Sequence, residues 1–381
     1  MKRQKICIIG GNLTGLTTAL ALSKLDCHID LITNNSNKNI KSNRTIAISE
    51  NNFDFLNKLN ISKSLKKEIW PCSVMSLYSE ERNRKFLKIF HLDHDKKKEK
   101  ILYILENSKV MKLMINKIKK IKSISVKNNK KISEIYPSGL LQSLKYNNSN
   151  YKYNLVIVCT GYNSKLVKNI FNGQKIESDY RESAVTTILN HNSIKNNIVR
   201  QIFLNNGTFA LLPISNNKTS IVWSFKKDMK EKNILLKSKI KFYAKNYLKN
   251  ISFATSIENK DLNFLIRNKY YSDRILLFGD ALHLMHPFIG QGFNMTLRDL
   301  LCLEKILNDK INLGLDIGNA DVLSEFSNEA KPRNFSFSLG SNLLKNALSF
   351  TKARNEMFKI LDKSNVAKSI FFDVANKGFR F

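Results

Sequence analysis

A segment of sixteen residues, Gly279–Asn294, combines a carboxylate, two histidines, a proline and a Gly-Gln-Gly run. It reads Gly-Asp-Ala-Leu-His-Leu-Met-His-Pro-Phe-Ile-Gly-Gln-Gly-Phe-Asn. The apolar run 274–278 before it is typical of a buried strand, and 295–307 after it has the apolar spacing of a helix. Free backbone N–H groups and the helix dipole favour electron-rich atoms at a helix N-terminus. The segment therefore suits a polar, phosphate-bearing cofactor.

A second glycine-rich turn, Gly10-Gly-Asn-Leu-Thr-Gly15, lies near the start of the sequence. We predict a buried strand over 5–9 before it, a helix over 16–24 after it, and a second strand over 28–32. A strand, turn, helix and strand in this order are the context of a dinucleotide fingerprint, which holds a pyrophosphate at the helix N-terminus.

This fingerprint departs from the usual pattern at two places. Asn12 stands where the middle glycine lets the backbone approach the pyrophosphate, so its side chain could crowd the ligand. Thr33 and Asn34 occupy the region where an acidic residue usually binds the ribose. For this element taken alone, an ordinary glycine-rich turn is the alternative interpretation.

The composition favours a globular protein with an unusually basic surface. The 381 residues are 43% hydrophobic and carry a formal net charge of +32. Only 12 of the 63 basic residues are Arg, whereas a nucleic-acid surface is expected to use more Arg and more stacking aromatics, so we expect no nucleic-acid partner. Attraction to an anionic membrane surface is a better use of this charge, and a generic solvated lysine-rich surface is the plainest one.

The cysteines and apolar runs indicate the compartment. Five scattered cysteines form no Cys-x-x-Cys pair, which favours small buried thiols in a reducing compartment. Basic residues precede an apolar stretch at the N-terminus, as in a signal peptide, but the turn Gly10–Gly15 interrupts it. No run of eighteen apolar residues predicts a spanning helix. We expect a cytoplasmic protein, with peripheral association at the inner face of a membrane as the further expectation.

The two glycine-rich segments resemble those of flavoprotein aromatic hydroxylases with a p-hydroxybenzoate-hydroxylase-type fold, above all the ubiquinone-biosynthesis hydroxylase branch. The family motif Gly-Asp-Ala-x-His-x-x-His-Pro-x-x-Gly-Gln-Gly-x-Asn stands almost intact at Gly279–Asn294, followed by Leu297-Arg298-Asp299. Arg44-Thr-Ile-Ala-Ile-Ser49 is similar to the family's Arg-x-x-Ala-Leu-Ser segment. Weaker likenesses lie at Phe203, 207–213, 221–223, Phe326 and Pro332-Arg333, so the resemblance runs from about residue 5 to about residue 375.

The resemblance implies an α/β fold: a Rossmann-like FAD-binding domain with an inserted antiparallel-sheet substrate domain and a C-terminal helical segment. The alternating residues over 180–225 independently favour antiparallel strands. We expect a discontinuous FAD-binding domain, a substrate domain and C-terminal helices, with these respective bounds: 1–70, 101–170 and 265–330; 71–100 and 171–264; 331–381.

The resemblance also implies the site residues. FAD-binding residues would be Gly10, Asn12, Leu13, Gly15, Arg44, Asp280, Gly292, Phe293 and Asn294. Pro287, Gly290 and Gln291 would lie at the catalytic face of the flavin, where Pro287 and Phe288 shape the wall toward the substrate. Asn294 would secure either the loop or the flavin ring. Phe209, Leu211 and Trp223 are candidates for the substrate pocket, with ordinary sheet core as the alternative for each.

The implied reaction is FAD-dependent hydroxylation of an aromatic ring in a phenolic, prenylated ubiquinone precursor by O₂, through a flavin C4a-hydroperoxide. The family's mid-chain Asp is replaced by Thr160, so the reductant is either NAD(P)H or a separate electron-donor protein. The alternative is a flavin-impaired or non-catalytic homologue that acts as a scaffold in a quinone-biosynthesis complex. A flavin reductase or halogenase on the same fold has no distinguishing residue here.

Two further expectations concern metal and membrane. His283 and His286 are three residues apart, but without a third ligand close in sequence we expect no metal site. A prenylated substrate resides in a bilayer, and the basic charge and apolar C-terminal region are compatible with peripheral membrane or biosynthetic-complex association. The sequence leaves open the hydroxylated ring position, the exact substrate and the oligomeric state.

Overall fold

The computed structural model describes residues 3–33, 42–60, 68–81, 85–94, 100–130, 132–171, 173, 175–229, 233–287, 290–348 and 350–378. Asn34 and Phe288, which enter the sequence predictions, lie outside these ranges. Among the described residues no helix is both long enough and apolar enough to cross a membrane.

Strands and helices alternate through the first part of the chain, and helices follow one another at its end. The strands are β1 (Gln4–Ile9), β2 (Cys27–Thr33), β3 (Thr45–Ser49), β4 (Ile69–Cys72), β5 (Val74–Glu80), β6 (Phe86–Asp93), β7 (Leu102–Glu106), β8 (Ile124–Asn128), β9 (Ile132–Ser138), β10 (Leu141–Tyr146), β11 (Ser149–Tyr153), β12 (Leu155–Val158), β13 (Lys175–Asn190), β14 (Ile198–Leu204), β15 (Gly207–Ser215), β16 (Lys218–Lys226), β17 (Ser252–Phe253), β18 (Glu258–Arg267), β19 (Tyr271–Ser272), β20 (Ile275–Leu277) and β21 (His283–Leu284). The α-helices are α1 (Leu13–Leu22), α2 (Glu50–Lys58), α3 (Asn107–Ile118), α4 (Lys165–Ile170), α5 (Asn233–Ala244), α6 (Gln291–Asn312), α7 (Ala320–Ala347), α8 (Thr351–Lys363) and α9 (Asn365–Lys377).

A largely parallel sheet runs in the order β19–β20–β12–β1–β2–β8. Its central strand β1 ends in four buried residues, Ile6–Ile9, as expected where helices cover both faces of a parallel sheet. Helix α1 makes the crossover from β1 to the parallel strand β2. A Cβ on Gly15 would lie 1.9 Å from the carbonyl oxygen of Gly10, so this close packing of α1 on the turn requires glycine. The predicted strand–turn–helix–strand unit is confirmed.

A second, nine-stranded sheet runs in the order β21–β18–β13–β16–β15–β14–β5–β6, with β17 beside β13. Its neighbours pair antiparallel except β14 and β5, which are parallel. Helix α5 covers one face through a buried apolar cluster that includes Leu236 and Ile240. The predicted α/β class, with a parallel sheet and a separate, mostly antiparallel one, is confirmed.

Smaller elements connect the two large sheets. Strands β3, β7 and β4 form a three-stranded sheet with β7 in the middle. Helices α8 and α9 then pack back on this region: the hydroxyl of Ser49 donates to the carbonyl oxygen of Asn376 at 3.0 Å, and the backbone N–H of Asn51 donates to the side chain of Asn376 at 2.9 Å. The C-terminal helices therefore close the core next to β3 rather than extending away from it.

Candidate functional site

A cavity of about 460 Å³ lies where the first residues of α1 and α6 face the nine-stranded sheet. Small-molecule sites are typically concave, largely apolar spaces of roughly 300–1,000 Å³. The loop and helix residues lining it include Asn12, Leu13, Thr14, Arg44, Asp280, Pro287, Gly290, Gly292 and Phe293. The cavity therefore brings together residues that are more than 200 positions apart in the sequence.

Asn12 does not obstruct the turn where a glycine is usual. Its backbone φ is −85°, which any residue can adopt, so glycine is not required there for conformation. Its side chain accepts a hydrogen bond from the N–H of Gly15 at 3.0 Å and donates to the carbonyl oxygen of Cys159 at 2.7 Å. Asn12 thus caps α1 and ties it to the end of β12, while Leu13 and Thr14 present the helix N-terminus to the cavity.

The N-terminus of α6 forms the second wall. Gly290 caps this helix in the left-handed region at φ 66°, and a Cβ there would lie 2.8 Å from that of Ala47. A Cβ on Gly292 would meet no atom within 4 Å, so the space in front of this residue is open. Gln291 is buried, yet neither the nitrogen nor the oxygen of its amide has a partner among the described residues. Gln291 itself does not line the cavity, so of the Gly290–Gly292 run only the two glycines face it.

Asn294 holds this wall in place rather than lining the cavity. Its side chain is fully buried and donates to the carbonyl oxygens of Ala47 at 2.9 Å and Gly290 at 3.1 Å. It also accepts from the backbone N–H of Ser49 and from the side chain of Asn52, each at 3.0 Å. Of the two roles expected for Asn294, this network supports securing the loop.

Charged side chains cluster on the cavity wall formed by β18 and the loops. Arg44, Lys260 and Asp280 all line it. Burial lowers the pKa of Lys260 and the positive charge of Arg44 lowers it further, while Asp280 acts in the opposite direction. Glu258 and Asp261 of β18 also line the cavity, so two cations face three carboxylates there. Within this mixed lining, Arg44 and Lys260 are the groups that can pair with a phosphate.

A row of directly paired residues crosses six strands of the nine-stranded sheet and lines the cavity. The row consists of Leu77, Gln201, Ala210, Val222, Thr186 and Glu258. Most of its middle is apolar or small, but Gln201 Nε2 and Thr186 Oγ1 are buried without a partner among the described residues. Such a surface can hold an apolar ring while two polar groups meet its oxygen atoms.

The three candidates for the substrate pocket lie on the other face of the same strands. Phe209 pairs with Trp223 across β15 and β16, one residue out of step with Ala210 and Val222. Side chains alternate between the two faces of a strand, so Phe209, Leu211 and Trp223 point toward α5 and pack in its cluster. None of the three lines the cavity. This placement supports the alternative interpretation, ordinary sheet core.

The two histidines form separate hydrogen bonds and no metal cluster. His283 Nε2 lies 2.8 Å from Asp299 Oδ2, with both side chains buried, and His286 Nε2 lies 3.0 Å from Glu182 Oε2. Within the described ranges, no group of three or more His, Cys, Asp and Glu residues has the geometry to hold a metal ion. Both histidines fix the loop between β20 and α6 to its neighbours.

The remaining predicted residues lie near the cavity without lining it. Gly10 donates its N–H to the carbonyl oxygen of Ile32 at 2.9 Å and, with Gly15, shapes the turn. Thr33 is buried against the turn, since a Cβ on Gly11 would lie 2.0 Å from its hydroxyl oxygen. Thr160, where the family has Asp, has a buried hydroxyl oxygen with no partner in the described part of the chain.

Sequence reasoning missed Gln201, Thr186 and Lys260. The sequence did contain a signal for Gln201. It shares one face of β14 with the apolar residues Val199 and Phe203, and a polar residue on an otherwise apolar face is a candidate for binding a ligand. Lys260 gave no signal, because a single lysine among 51 is inconspicuous until β18 places it beside Arg44. Taken together, the N-termini of α1 and α6 at the cavity and the cation Arg44 in its lining fit an extended dinucleotide such as FAD.

Comparison with known proteins gives one family match and many relatives. The sequence model of the FAD binding domain matches residues 3–334. Ubiquinone biosynthesis monooxygenase COQ6, mitochondrial, of Dictyostelium discoideum is 24% identical over 97% of this chain and 90% of its own length. Ubiquinone hydroxylase UbiL of Rhodospirillum rubrum is 30% identical over 41% of this chain and 37% of its own length.

Solved structures share the fold at low sequence identity. The p-nitrophenol 4-monooxygenase PnpA of Pseudomonas putida DLL-E4 superposes with a TM-score of 0.78 at 15% identity, covering 100% of this chain and 99% of that one. Klebsiella pneumoniae HpxO, complexed with FAD and uric acid, gives a TM-score of 0.78 at 14% identity, covering 98% and 96%. At this identity the similarity establishes the fold alone.

Proposed function

The chain belongs to the FAD binding domain family as an FAD-dependent monooxygenase, and from this premise we propose that it hydroxylates the aromatic ring of a phenolic, prenylated ubiquinone precursor. The expected resemblance to the ubiquinone-biosynthesis hydroxylases is confirmed by relatives named as ubiquinone monooxygenases and hydroxylases. The scaffold alternative receives no support from these names. The relatives' names specify ubiquinone biosynthesis only, so the phenolic, prenylated substrate stays a proposal.

One observation carries the proposal: a single cavity joins the N-termini of α1 and α6 to the row of residues that contains Gln201 and Thr186. An aromatic ring on this row would lie in the same enclosed space as the cofactor wall at Gly290–Phe293. Phenols combine an apolar ring with one hydroxyl group, and the row offers an apolar surface with two unpartnered polar groups. We infer that Gln201 and Thr186 orient the phenolic oxygen.

Bound FAD would supply the activation of O₂, and the side chains supply binding, orientation and exclusion of water. We propose that Leu13, Thr14 and Arg44 hold the pyrophosphate and that Asp280 accepts hydrogen bonds from the hydroxyl groups of the cofactor. Backbone N–H groups from Gly290 to Gly292, Gln291 included, and Phe293 would face the flavin ring. Pro287 would separate the flavin from the substrate.

FAD binding is tested by absorbance and fluorescence titration. We expect the purified chain to bind FAD and the Asp280→Ala variant to bind it at least about tenfold more weakly, because a carboxylate accepts strong hydrogen bonds from hydroxyl groups. Asp309→Ala, which removes an exposed carboxylate from α6 away from the cavity, is the control. Equal affinity in both variants would refute the role of Asp280.

The substrate assignment is tested with Gln201→Leu, which keeps the side-chain size but removes the amide. We expect unchanged FAD affinity and a loss of hydroxylation of about ten- to hundredfold, since the phenolic oxygen loses its partner. Phe209→Leu on the opposite face of the sheet is the control and should keep the product yield. A Gln201→Leu variant as active as the parent would contradict the assignment.

The reductant is NAD(P)H or an electron-donor protein, and Thr160 bears on the choice. We propose that the chain needs a protein as its electron donor. In the family that it resembles, the Asp at this position is associated with the use of NAD(P)H, and here Thr160 replaces it. The measurement is the loss of the visible absorbance of bound FAD as it is reduced. If NAD(P)H alone reduces the FAD at least as fast as the enzyme turns over, the proposal is wrong. Partner-dependent bleaching would support it.

We further propose that the lipophilic substrate is reached from an anionic membrane surface through α7–α9. Exposed apolar side chains concentrate there, namely Leu343, Phe350, Ile360, Val366 and Ile370. Co-sedimentation with phosphatidylglycerol vesicles tests this: Ile360→Ser with Ile370→Ser should reduce binding several-fold. Leu140→Ser with Ile234→Ser, two exposed residues elsewhere, is the control. Equal loss in both double variants would contradict a specific surface.

A further inference from the structure

A second cavity, of about 250 Å³, lies between α6, α7 and the end of α9. It shares no lining residue with the first cavity. Four cations and two carboxylates line it, namely Arg298, Lys305, Arg333 and Lys377 with Asp299 and Glu329, so positive charge is in excess in a small space. Nothing in the proposed hydroxylation uses these residues.

The guanidinium of Arg298 is buried without a hydrogen-bond acceptor. Both of its terminal nitrogens, Nη1 and Nη2, are inaccessible to solvent and have no partner among the described residues. Burial lowers the pKa of Arg298 to about 10, with Asp299 opposing and Arg333 adding to the shift. The guanidinium also lies over the ring of Phe337, whose centroid is 4.9 Å away. A ring face offsets only part of the cost of burying a cation.

Arg333 repeats this pattern in the same cavity. Its Nε donates to the carbonyl oxygen of Glu329 at 2.9 Å, whereas its Nη2 is buried with no partner in the described part of the chain. Two guanidinium groups therefore present unpaired N–H donors to one cavity. Like charges at short range repel, so a bound anion between the two guanidinium groups would stabilise the arrangement.

The neighbouring carboxylates are already engaged. Asp299 lies 2.8 Å from Nε2 of His283 and accepts from the side chain of Asn334 at 3.0 Å. Glu329 accepts from the thiol of Cys302 at 3.2 Å. Neither carboxylate hydrogen-bonds the terminal nitrogens of Arg298, so these donors stay available to a ligand.

We propose that this cavity binds a small oxyanion, a phosphate or a carboxylate group, through Arg298 and Arg333, with Lys305 adding long-range attraction. The planar guanidinium fork of Arg298 matches two oxygens of such a group. The volume of about 250 Å³ admits a phosphate ion or a small organic acid. Asp299, the residue after Arg298, is hydrogen-bonded to His283 of the segment Gly279–Asn294. An anion bound to Arg298 would therefore lie next to a residue that contacts the cofactor loop.

The experiment is isothermal titration of the chain at constant ionic strength with inorganic phosphate and, separately, with succinate. Excess FAD is present, so that the pyrophosphate site proposed at Leu13, Thr14 and Arg44 in the first cavity is already occupied. We expect saturable binding of at least one anion at one site per chain. Arg298→Gln and Arg333→Gln should each weaken it by about tenfold or more. Lys112→Gln removes one exposed positive charge from α3 and should change the affinity less than about twofold.

The two anions distinguish the chemistry of the ligand: tighter phosphate binding indicates a phosphate group, and tighter succinate binding a carboxylate. If Arg298→Gln fails to fold, Arg333→Gln and Lys305→Gln decide the matter. Absence of saturable binding of both anions overturns the proposal. Equal weakening in Lys112→Gln also overturns it, because binding would then reflect only the net charge of +32.

Discussion

Asn12 shows how a single departure from a motif can be compensated by its own side chain. The sequence suggested that this residue crowds the pyrophosphate, because the usual fingerprint has glycine there. In the structure its amide bonds Gly15 and Cys159 and so faces the protein. Asn12 therefore gives up the conformational freedom of glycine and caps α1 instead. Because its side chain points into the protein, a ligand can still approach the turn.

We predict that Asn12→Gly destabilises the chain without tightening the cofactor. Losing a cap and one partly buried hydrogen bond should lower the free energy of unfolding by about 1 kcal/mol. FAD affinity should change by less than about twofold, since the Asn12 side chain does not occupy the ligand's place. Urea unfolding and FAD titration measure the two effects. A variant that binds FAD tenfold more tightly would show that Asn12 does crowd the pyrophosphate.

At the scale of elements, the position of α6 against β3 defines the cofactor wall. Asn294 connects the first turn of α6 to Ala47 and Ser49 through four hydrogen bonds, counting those to Gly290 and Asn52. We predict that Asn294→Ala lowers the free energy of unfolding by about 3 kcal/mol, because several buried groups lose their partners at once. FAD affinity should fall with it. The Asn328→Ala variant, at an exposed site on α7, is the control; equal stability in both would contradict this role.

The loop between β20 and α6 is also fastened to β13 by a partly buried charged group. Burial acts to raise the pKa of Glu182, but hydrogen bonds from His286 and Lys345 outweigh it and hold the pKa below its ordinary value. A carboxyl group with a lowered pKa stabilises the fold above its ordinary pKa, and this stability is lost as the pH falls through the lowered value.

We therefore predict a pH-dependent difference between the parent chain and Glu182→Gln. At pH 7 the substitution should lower the free energy of unfolding by about 2 kcal/mol, and the difference should shrink as the pH falls below about 4. Denaturant unfolding across this range measures it. A difference that is constant with pH would mean that the charge of Glu182 contributes nothing.

Across the whole molecule, the residues predicted from local patterns for the cofactor lie mostly in or beside the cavity, whereas the three candidates for the substrate pocket do not line it. The turn at Gly10–Gly15 and the segment Gly279–Asn294 are local, since each combines a strand end and a helix start within a few residues. The substrate face depends on which side of the nine-stranded sheet α5 covers. Which face α5 covers is determined by packing between segments far apart in the sequence, so local patterns do not reveal it. Phe209 and Trp223 were chosen because they are large and apolar, but α5 buries them.

The domain bounds proposed from the sequence stay a prediction, because the elements interleave. Strand β21 lies within the range assigned to the FAD-binding domain, yet it pairs with β18 of the nine-stranded sheet. The same pairing fixes His283 and Leu284, and hence the loop that leads to α6, against the substrate sheet. The cofactor wall and the substrate wall are thus parts of one packed unit.

The central claim, that one cavity holds both FAD and a phenolic substrate for oxygen insertion, is tested most directly by isotope incorporation. The FAD-loaded chain is reduced with dithionite, which removes any need for a donor protein, and is then mixed with ¹⁸O₂ and a phenol carrying a short prenyl chain. We predict one ¹⁸O atom in each hydroxylated product, with a yield that falls in Gln201→Leu and persists in Phe209→Leu. Complete reoxidation to hydrogen peroxide with no labelled product, by a chain that binds both FAD and the phenol, would contradict the claim.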